Sequence, residues 1–308
     1  MIRVENLHME YGDTVALENL CLEIAPGEVF GLIGPNGAGK TTLIRILATL
    51  LEPTYGSVHI AGVDALKNPL AVHPLIGYMS DFFSLYENMR VWEYLDHFAR
   101  CYGIDSSRRD RLIDEALELV SLEVRRDSEI NELSRGMRQR VCFAKSLLHE
   151  PKLLLLDEPA SGLDPAGRLE FRELLKQLHA MGRTILISSH ILTEMTEYCT
   201  SIGIMEQGRL LKSGRVDDIL REMQSGLRLK IEVQDGADRL REMLTAHPSI
   251  TSTATNNGHL ECLWRDGRDR LPQLHRELVE AGLPVVSFAV VEENLEDLYM
   301  RISGHRTS

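Results

Sequence analysis

A chain of 308 residues, 44% hydrophobic and 26% charged, is long for one compact domain, comfortable for two, and apolar enough for full cores. Its net charge of −12 argues against a nucleic-acid partner, because phosphate backbones demand clustered Lys and Arg. The N-terminus lacks a signal peptide's apolar core, no apolar run approaches the roughly 20 residues that span a bilayer, and five scattered cysteines without a C-x-x-C pair read as thiols in a reducing cytosol.

In chain order, residues 2–7 alternate as a strand, Tyr11-Gly12-Asp13 is a turn, and 15–17 and 20–24 predict two further strands closed by Pro26-Gly27. Tyr11 reads either as a packing residue or as an aromatic that stacks on an adenine ring. A short buried strand, 29–33, then runs into Gly34-Pro35-Asn36-Gly37-Ala38-Gly39-Lys40-Thr41-Thr42 and a helical pattern from Leu43. Strand, glycine-rich loop and helix with the spacing G-x-x-x-x-G-K-T form a phosphate-binding loop. Gly34, Gly37 and Gly39 let successive backbone N–H groups face one phosphate chain at a helix N-terminus. Lys40 supplies charge for the β- and γ-phosphates, and the Thr41 hydroxyl is placed to hold Mg²⁺. The chain is therefore expected to bind a nucleoside triphosphate together with Mg²⁺.

Strand candidates at 57–60 and 76–79 follow. Between 82 and 150 the pattern turns helical, with Val91, Leu95, Phe98 and Tyr102 and then Leu112, Ile113, Ala116, Leu117 and Val120 recurring every three or four positions. Within this stretch, Leu133-Ser134-Arg135-Gly136-Met137 opens a helix that Ser134 can cap, an ordinary N-cap unless a ligand comes to it. Leu153-Leu154-Leu155-Leu156-Asp157-Glu158 is a continuous apolar strand ending in two acids, the pattern of a parallel sheet buried on both faces, beyond whose C-terminal ends ligands bind. Asp157 suits a water-mediated hold on Mg²⁺, and Glu158 suits accepting a proton from an attacking water. A helix at 170–180, a strand at 184–188 and then His190, placed to reach a γ-phosphate, follow. Residues 202–206 and 209–213 predict a hairpin through Gln207-Gly208.

From about 226 a second unit reads β-α-β-β-α-β. It has a clean alternating strand at 227–233, a helix at 237–246, a hairpin around Asn256-Asn257-Gly258, a helix at 271–281 and a strand at 285–291. That order predicts a small ferredoxin-like sandwich, with a closing helix at 295–302.

Taken together, residues 2–220 resemble the nucleotide-binding subunit of an ATP-binding cassette (ABC) transporter, with a resemblance specific in order and spacing. The stretch Ser80–Asn88 and the C-terminal module are similar, less specifically, to the exporter-type class. Residues 34–42 match the Walker A motif and 153–158 match Walker B with its catalytic glutamate. Ser161-Gly162-Leu163-Asp164 looks like the D-loop, His190 like the switch histidine, Tyr11 like the adenine-stacking aromatic, and Leu133–Met137 stands where the LSGGQ signature stands. The implied fold is α/β, a P-loop NTPase core with an antiparallel β subdomain and a helical insert (about 82–150) over residues 1–222. The ferredoxin-like α+β module occupies 226–308.

The resemblance implies ATP hydrolysis with Glu158, His190 and Lys40 as catalytic residues. It implies a head-to-tail homodimer in which Ser134 and Gly136 of one subunit close over the ATP on the other, with Asp164 at the same interface. It also implies an integral-membrane permease partner, and hence a cytoplasmic protein peripheral to the membrane. Two motifs depart from the family pattern. Arg135 and Met137 replace the usual Gly and Gln of the signature. Asp81 stands where a glutamine normally touches Mg²⁺; an aspartate can also ligate the metal, but it adds repulsion beside Asp157 and Glu158 until the metal arrives. Phe82, Phe83, Tyr86 and Trp92 next to Asp81 fit either core packing or a groove for a helix of the membrane subunit. A soluble ABC ATPase, a non-hydrolysing regulatory cassette and an importer subunit are the competing expectations. Lys40, Glu158 and His190 weigh against the second of these, and the ferredoxin-like tail against the third.

Overall fold

The structure, a computed structural model, describes residues 1–82, 84–223, 227–256 and 259–291. Two units divide the chain, one from Met1 to Val216 and one from Asp217 onward.

In the first unit, β1 (Ile2–Tyr11) and β2 (Thr14–Ile24) form a hairpin. The two separate strands expected at 15–17 and 20–24 are one continuous strand. Its register slips between the pairs Leu7–Leu20 and Met9–Leu17, and Asn19 takes up the extra residue at a φ of +48°. Next come β3 (Val29–Ile33), buried along its whole length, α1 (Lys40–Leu47), β4 (Tyr55–Ile60) and β5 (Val63–Asp64). A short α2 (Pro69–Val72) precedes β6 (Ile76–Met79). The region of three- and four-residue apolar spacing contains α3 (Val91–Cys101), α4 (Ser106–Leu119) and α5 (Arg135–Leu147), which bury Val91, Leu95, Leu112, Ile113, Ala116 and Leu117 as that spacing requires.

After β7 (Leu153–Leu156), helix α6 runs from Pro165 to Ala180. It begins five residues before the expected start because Asp164 accepts the Gly167 N–H at 2.9 Å and Pro165 occupies the first turn. β8 (Thr184–Ser189), α7 (Leu192–Tyr198), β9 (Ser201–Glu206) and β10 (Arg209–Arg215) complete the unit, and α8 (Val216–Met223) starts at its last residue and continues into the second. Neither α7 nor α8 was foreseen; each is too short for apolar periodicity to stand out.

Two sheets result, an antiparallel one in the order β2-β1-β4-β5 and a six-stranded one in the order β10-β9-β3-β8-β7-β6. Strands β9, β3, β8, β7 and β6 run parallel, and β10 adds an antiparallel edge. Leu153 through Leu156 are each 0% exposed, as expected of a strand covered on both faces. One apolar cluster joins the antiparallel sheet to α1 and the parallel strands through Leu7, Leu17, Ile24, Leu43, Ile44, Leu32 and Leu155. The phosphate loop is thus anchored on its β-sheet side by the same core that builds the sheet.

The second unit holds β11 (Leu227–Val233), α9 (Ala237–Ala246), β12 (Ile250–Asn256), β13 (His259–Trp264), α10 (Leu271–Glu280) and β14 (Val285–Val291). Its sheet order, β12-β13-β11-β14, is antiparallel throughout. In that order the first strand lies between the third and the fourth, as the β-α-β-β-α-β succession of a ferredoxin-like sandwich demands. Leu229 and Ile231 of β11 meet Leu240, Leu244, Leu274 and Leu278 of the helices in a separate apolar core. The hairpin tip at 257–258 and the helix expected at 295–302 lie outside the described residues.

Candidate functional site

Three neighbouring strands, β7, β8 and β3, deliver the predicted residues to one edge of the sheet, because in parallel strands the C-terminal ends align. After β3 the loop curls onto α1. Gly39 adopts φ +100°, and a Cβ there would stand 2.5 Å from the Ala16 carbonyl oxygen, so only glycine closes this turn. No side chain caps α1, which leaves its first N–H groups facing the loop's concavity. Lys40, 6% exposed, folds back into the loop and donates to the Gly34 carbonyl at 2.7 Å and to the Pro35 carbonyl at 3.2 Å. Its Nζ lies 3.4 Å from Glu158 Oε1.

Asp157 and Glu158 leave β7 in opposite directions. Asp157 is fully buried. Burial pushes its carboxyl above the usual carboxylate range, as do the nearby charges of Asp81 and Glu158, while the Ser188 hydroxyl and the neighbouring Thr41 hydroxyl oppose the shift. Glu158 sits at φ +48°, a conformation uncommon for a side-chain-bearing residue. Its carboxylate is thereby carried across to His190, whose Nδ1 lies 2.9 Å from Glu158 Oε2. Lys40 at the start of α1, Glu158 after β7 and His190 after β8 are therefore linked in one line of contacts.

Ser188 joins the two acids. Its hydroxyl donates to Asp157 Oδ1 at 2.7 Å and accepts the Glu158 N–H at 2.9 Å. Sequence reasoning missed this residue, reading it only as a strand end; a serine at the polar end of an apolar strand, two positions before His190, was the available signal. Two carboxylate oxygens are left over: Asp157 Oδ2 and Glu158 Oε1 are buried without a hydrogen-bond partner among the described residues. Asp81 is exposed, and its carboxylate accepts the Phe82 N–H at 2.8 Å. Phe82 is 89% exposed and so lies outside the core; Phe83 lies outside the described residues.

Other predicted residues are elsewhere in this single chain. Ser134 is exposed and caps α5, accepting the Met137 N–H at 3.3 Å. Gly136 follows on the first turn of α5, and Asp164 is engaged in capping α6. Tyr11 ends β1 with 48% of its surface exposed, so a packing role does not account for it. Among the described residues, no hydrogen bond or ion pair joins any of these to Lys40, Glu158 or His190.

The family profile described as ABC transporter matches residues 17–161. The chain is 33% identical to the Nod factor export ATP-binding protein I of Cupriavidus pinatubonensis, over 99% of this chain and 91% of that one. It is 32% identical to the bacitracin transport ATP-binding protein BcrA of Enterococcus faecalis, over 99% and 96%. The dimeric structure of MJ0796, a bacterial ABC transporter cassette, superposes with a TM-score of 0.64 at 26% identity, over 70% of this chain and 99% of the other. The chain belongs to the ABC transporter ATP-binding family.

An ABC ATP-binding subunit binds and hydrolyses ATP, and the P-loop fold expected from the sequence is the fold found. Among the described residues of this subunit, no group of three or more His, Cys, Asp or Glu side chains is arranged to hold a metal by itself. The orphaned Asp157 Oδ2, buried near the Thr41 hydroxyl, nevertheless fits a hard cation whose remaining oxygens come from a nucleotide and water. No helix among the described residues is long and apolar enough to cross a membrane.

Proposed function

We propose that this chain energises export through a separate integral-membrane permease, working on the cytoplasmic face of the membrane as a head-to-tail homodimer. The observation that carries the catalytic reading is the Lys40–Glu158–His190 line, with Ser188 fixing both acids. The printed names of relatives that run the length of the chain, Nod factor export and bacitracin transport, support the export assignment.

In the catalytic step, Glu158 accepts the proton of a water aligned with the γ-phosphate, and His190 holds the carboxylate and contacts the developing negative charge. Lys40 exchanges the Gly34 and Pro35 carbonyls for the β- and γ-phosphate oxygens. Backbone N–H groups from Gly34 to Thr42 cradle the phosphates, and Tyr11 stacks on the base. Thr41 and Asp157, with Asp81 on the exposed side, would hold Mg²⁺, which when bound neutralises phosphate charge. Ser134, Gly136 and Asp164 lie apart from this line in one chain and act on the nucleotide held by a second copy. The exposed Phe82 and Tyr86 suit the docking of a permease helix.

Glu158→Gln in the full chain tests the scheme. Hydrolysis should fall by about two orders of magnitude or more, and ATP should accumulate as a stable dimer on size-exclusion chromatography with light scattering. Unchanged hydrolysis, or monomers only at saturating ATP, would contradict the scheme. Copurification of a membrane permease with the tagged chain tests the transport assignment separately.

A further inference from the structure

Arg135, one of the two signature departures, has no role in the proposed scheme. It occupies the first position of α5, where a cation opposes the helix dipole. The other two arginines near the start of α5 are paired. Arg138 meets Glu87 at 3.0 Å and the Leu133 and Asn131 carbonyls, and Arg140 meets Glu170 at 2.9 Å. Arg135 makes no such hydrogen bond or ion pair among the described residues.

What it does touch is Gly162. A Cβ built on Gly162 would stand 3.1 Å from Arg135 Cζ, 3.2 Å from one terminal nitrogen and 3.4 Å from Nε. These near-equal distances mean that the guanidinium lies flat over the glycine. Gly162 adopts φ +78°, so a side chain is disfavoured there both by its backbone and by the plane above it. One residue on, a Cβ at Gly136 would lie 3.6 Å from Leu163 Cδ2. The tip of α5 therefore faces the crest of the 158–164 turn, with the Arg135 guanidinium over Gly162 and Gly136 opposite Leu163. That turn is short and internally bonded, Ser161 N–H to Glu158 carbonyl at 3.1 Å and Leu163 N–H to Ala160 carbonyl at 3.3 Å. It starts at Glu158 and ends at the α6 cap, Asp164.

We propose that Arg135 is a positioning residue for hydrolysis, stacking on Gly162 so that the tip of α5 holds the turn that aims Glu158. The guanidinium acts by its plane and not by its charge. This rests on Glu158 being the general base, as proposed above. A tip of α5 fixed in place steadies the Glu158 backbone at φ +48° and with it the bond to His190.

Three substitutions in the full chain separate plane from charge: Arg135→Ala, Arg135→Lys, which keeps the charge without the plane, and Gly162→Asn, which tolerates positive φ but puts a Cβ under the guanidinium. Each should lower kcat about three- to tenfold with KM for ATP within about twofold, since misplacing a catalytic group costs turnover more than binding. Combining Arg135→Ala with Gly162→Asn should cost little more than either alone. Without nucleotide, the Ser161 and Leu163 amides should exchange about tenfold faster in Arg135→Ala, reporting a loosened turn. Unchanged amide exchange, full rescue by lysine, or a loss confined to KM would overturn the proposal. Glu158→Gln distinguishes the two readings. If it leaves hydrolysis intact, the assignment of the base fails, whereas loss of the exchange effect alone defeats the role of Arg135.

Discussion

The two units of this chain treat polar groups in opposite ways. In the first, nine of the described polar or charged residues are buried, Lys40, Asp157 and Ser188 among them. Among the described residues, the buried side-chain atoms without a hydrogen-bond partner, Asp157 Oδ2 and Glu158 Oε1 included, lie there. Among the described residues of the second unit, the core is Leu, Ile, Val, Phe, Met, Cys and Trp, and its charges pair on partly exposed positions, as Arg228 does with Glu261 at 2.8 Å. Burying a polar atom without a partner costs on the order of 1–3 kcal/mol. A fold that accepts that cost for Asp157 Oδ2, at the end of β7, keeps that atom for something that arrives later. Among its described residues the second unit shows no such atom, and its apolar core accounts for its order.

Truncating the tail's core gives the largest effect expected from this contrast. Trp264 is 2% exposed, and its indole N–H donates to the Gly267 carbonyl at 3.3 Å. Trp264→Ala should cost about 3–5 kcal/mol and unfold the second unit, while ATP binding by the first is retained; calorimetry with and without ATP reads both. Loss of ATP binding in that variant would break the division of labour. Next comes Ser188→Ala, which frees both acids at once. It should lower kcat by about tenfold with little change in KM, because a net hydrogen bond to a charged group is worth about 1.5–3 kcal/mol.

The smallest effect is a gain. The Asp157 carboxyl is held above its usual range by burial, so its ionised form is strained in the nucleotide-free fold. The penalty enters as pH rises past the unfolded value of about 4 and is complete once pH exceeds the raised folded value. Asp157→Asn should therefore raise the Tm of the nucleotide-free protein by about 2–4 °C while hydrolysis is lost. A lowered Tm would mean that the acid is satisfied as it stands.

Where the chemistry is local, the sequence was sufficient. Residues 34–42 carry their own turn, charge and helix start, and four leucines followed by two acids declare a buried strand end. The β-α-β-β-α-β order likewise foretold the ferredoxin-like sheet, because alternation and helical spacing both survive in short segments. What escaped was tertiary. Ser188 gains its importance from two acids on the next strand, and Arg135 from a glycine 27 positions away. The continuity of β2 depended on Asn19 adopting positive φ, and α6 began early because Asp164, noted only as an interface residue, also serves as its cap.

The central claim is that a second copy completes the site, and the ATP-bound Glu158→Gln dimer tests it most directly. In its experimentally determined structure, Ser134 Oγ should lie within hydrogen-bonding reach, about 3 Å, of the γ-phosphate held by the partner's Lys40. A dimer in which Ser134 meets no phosphate would contradict the account.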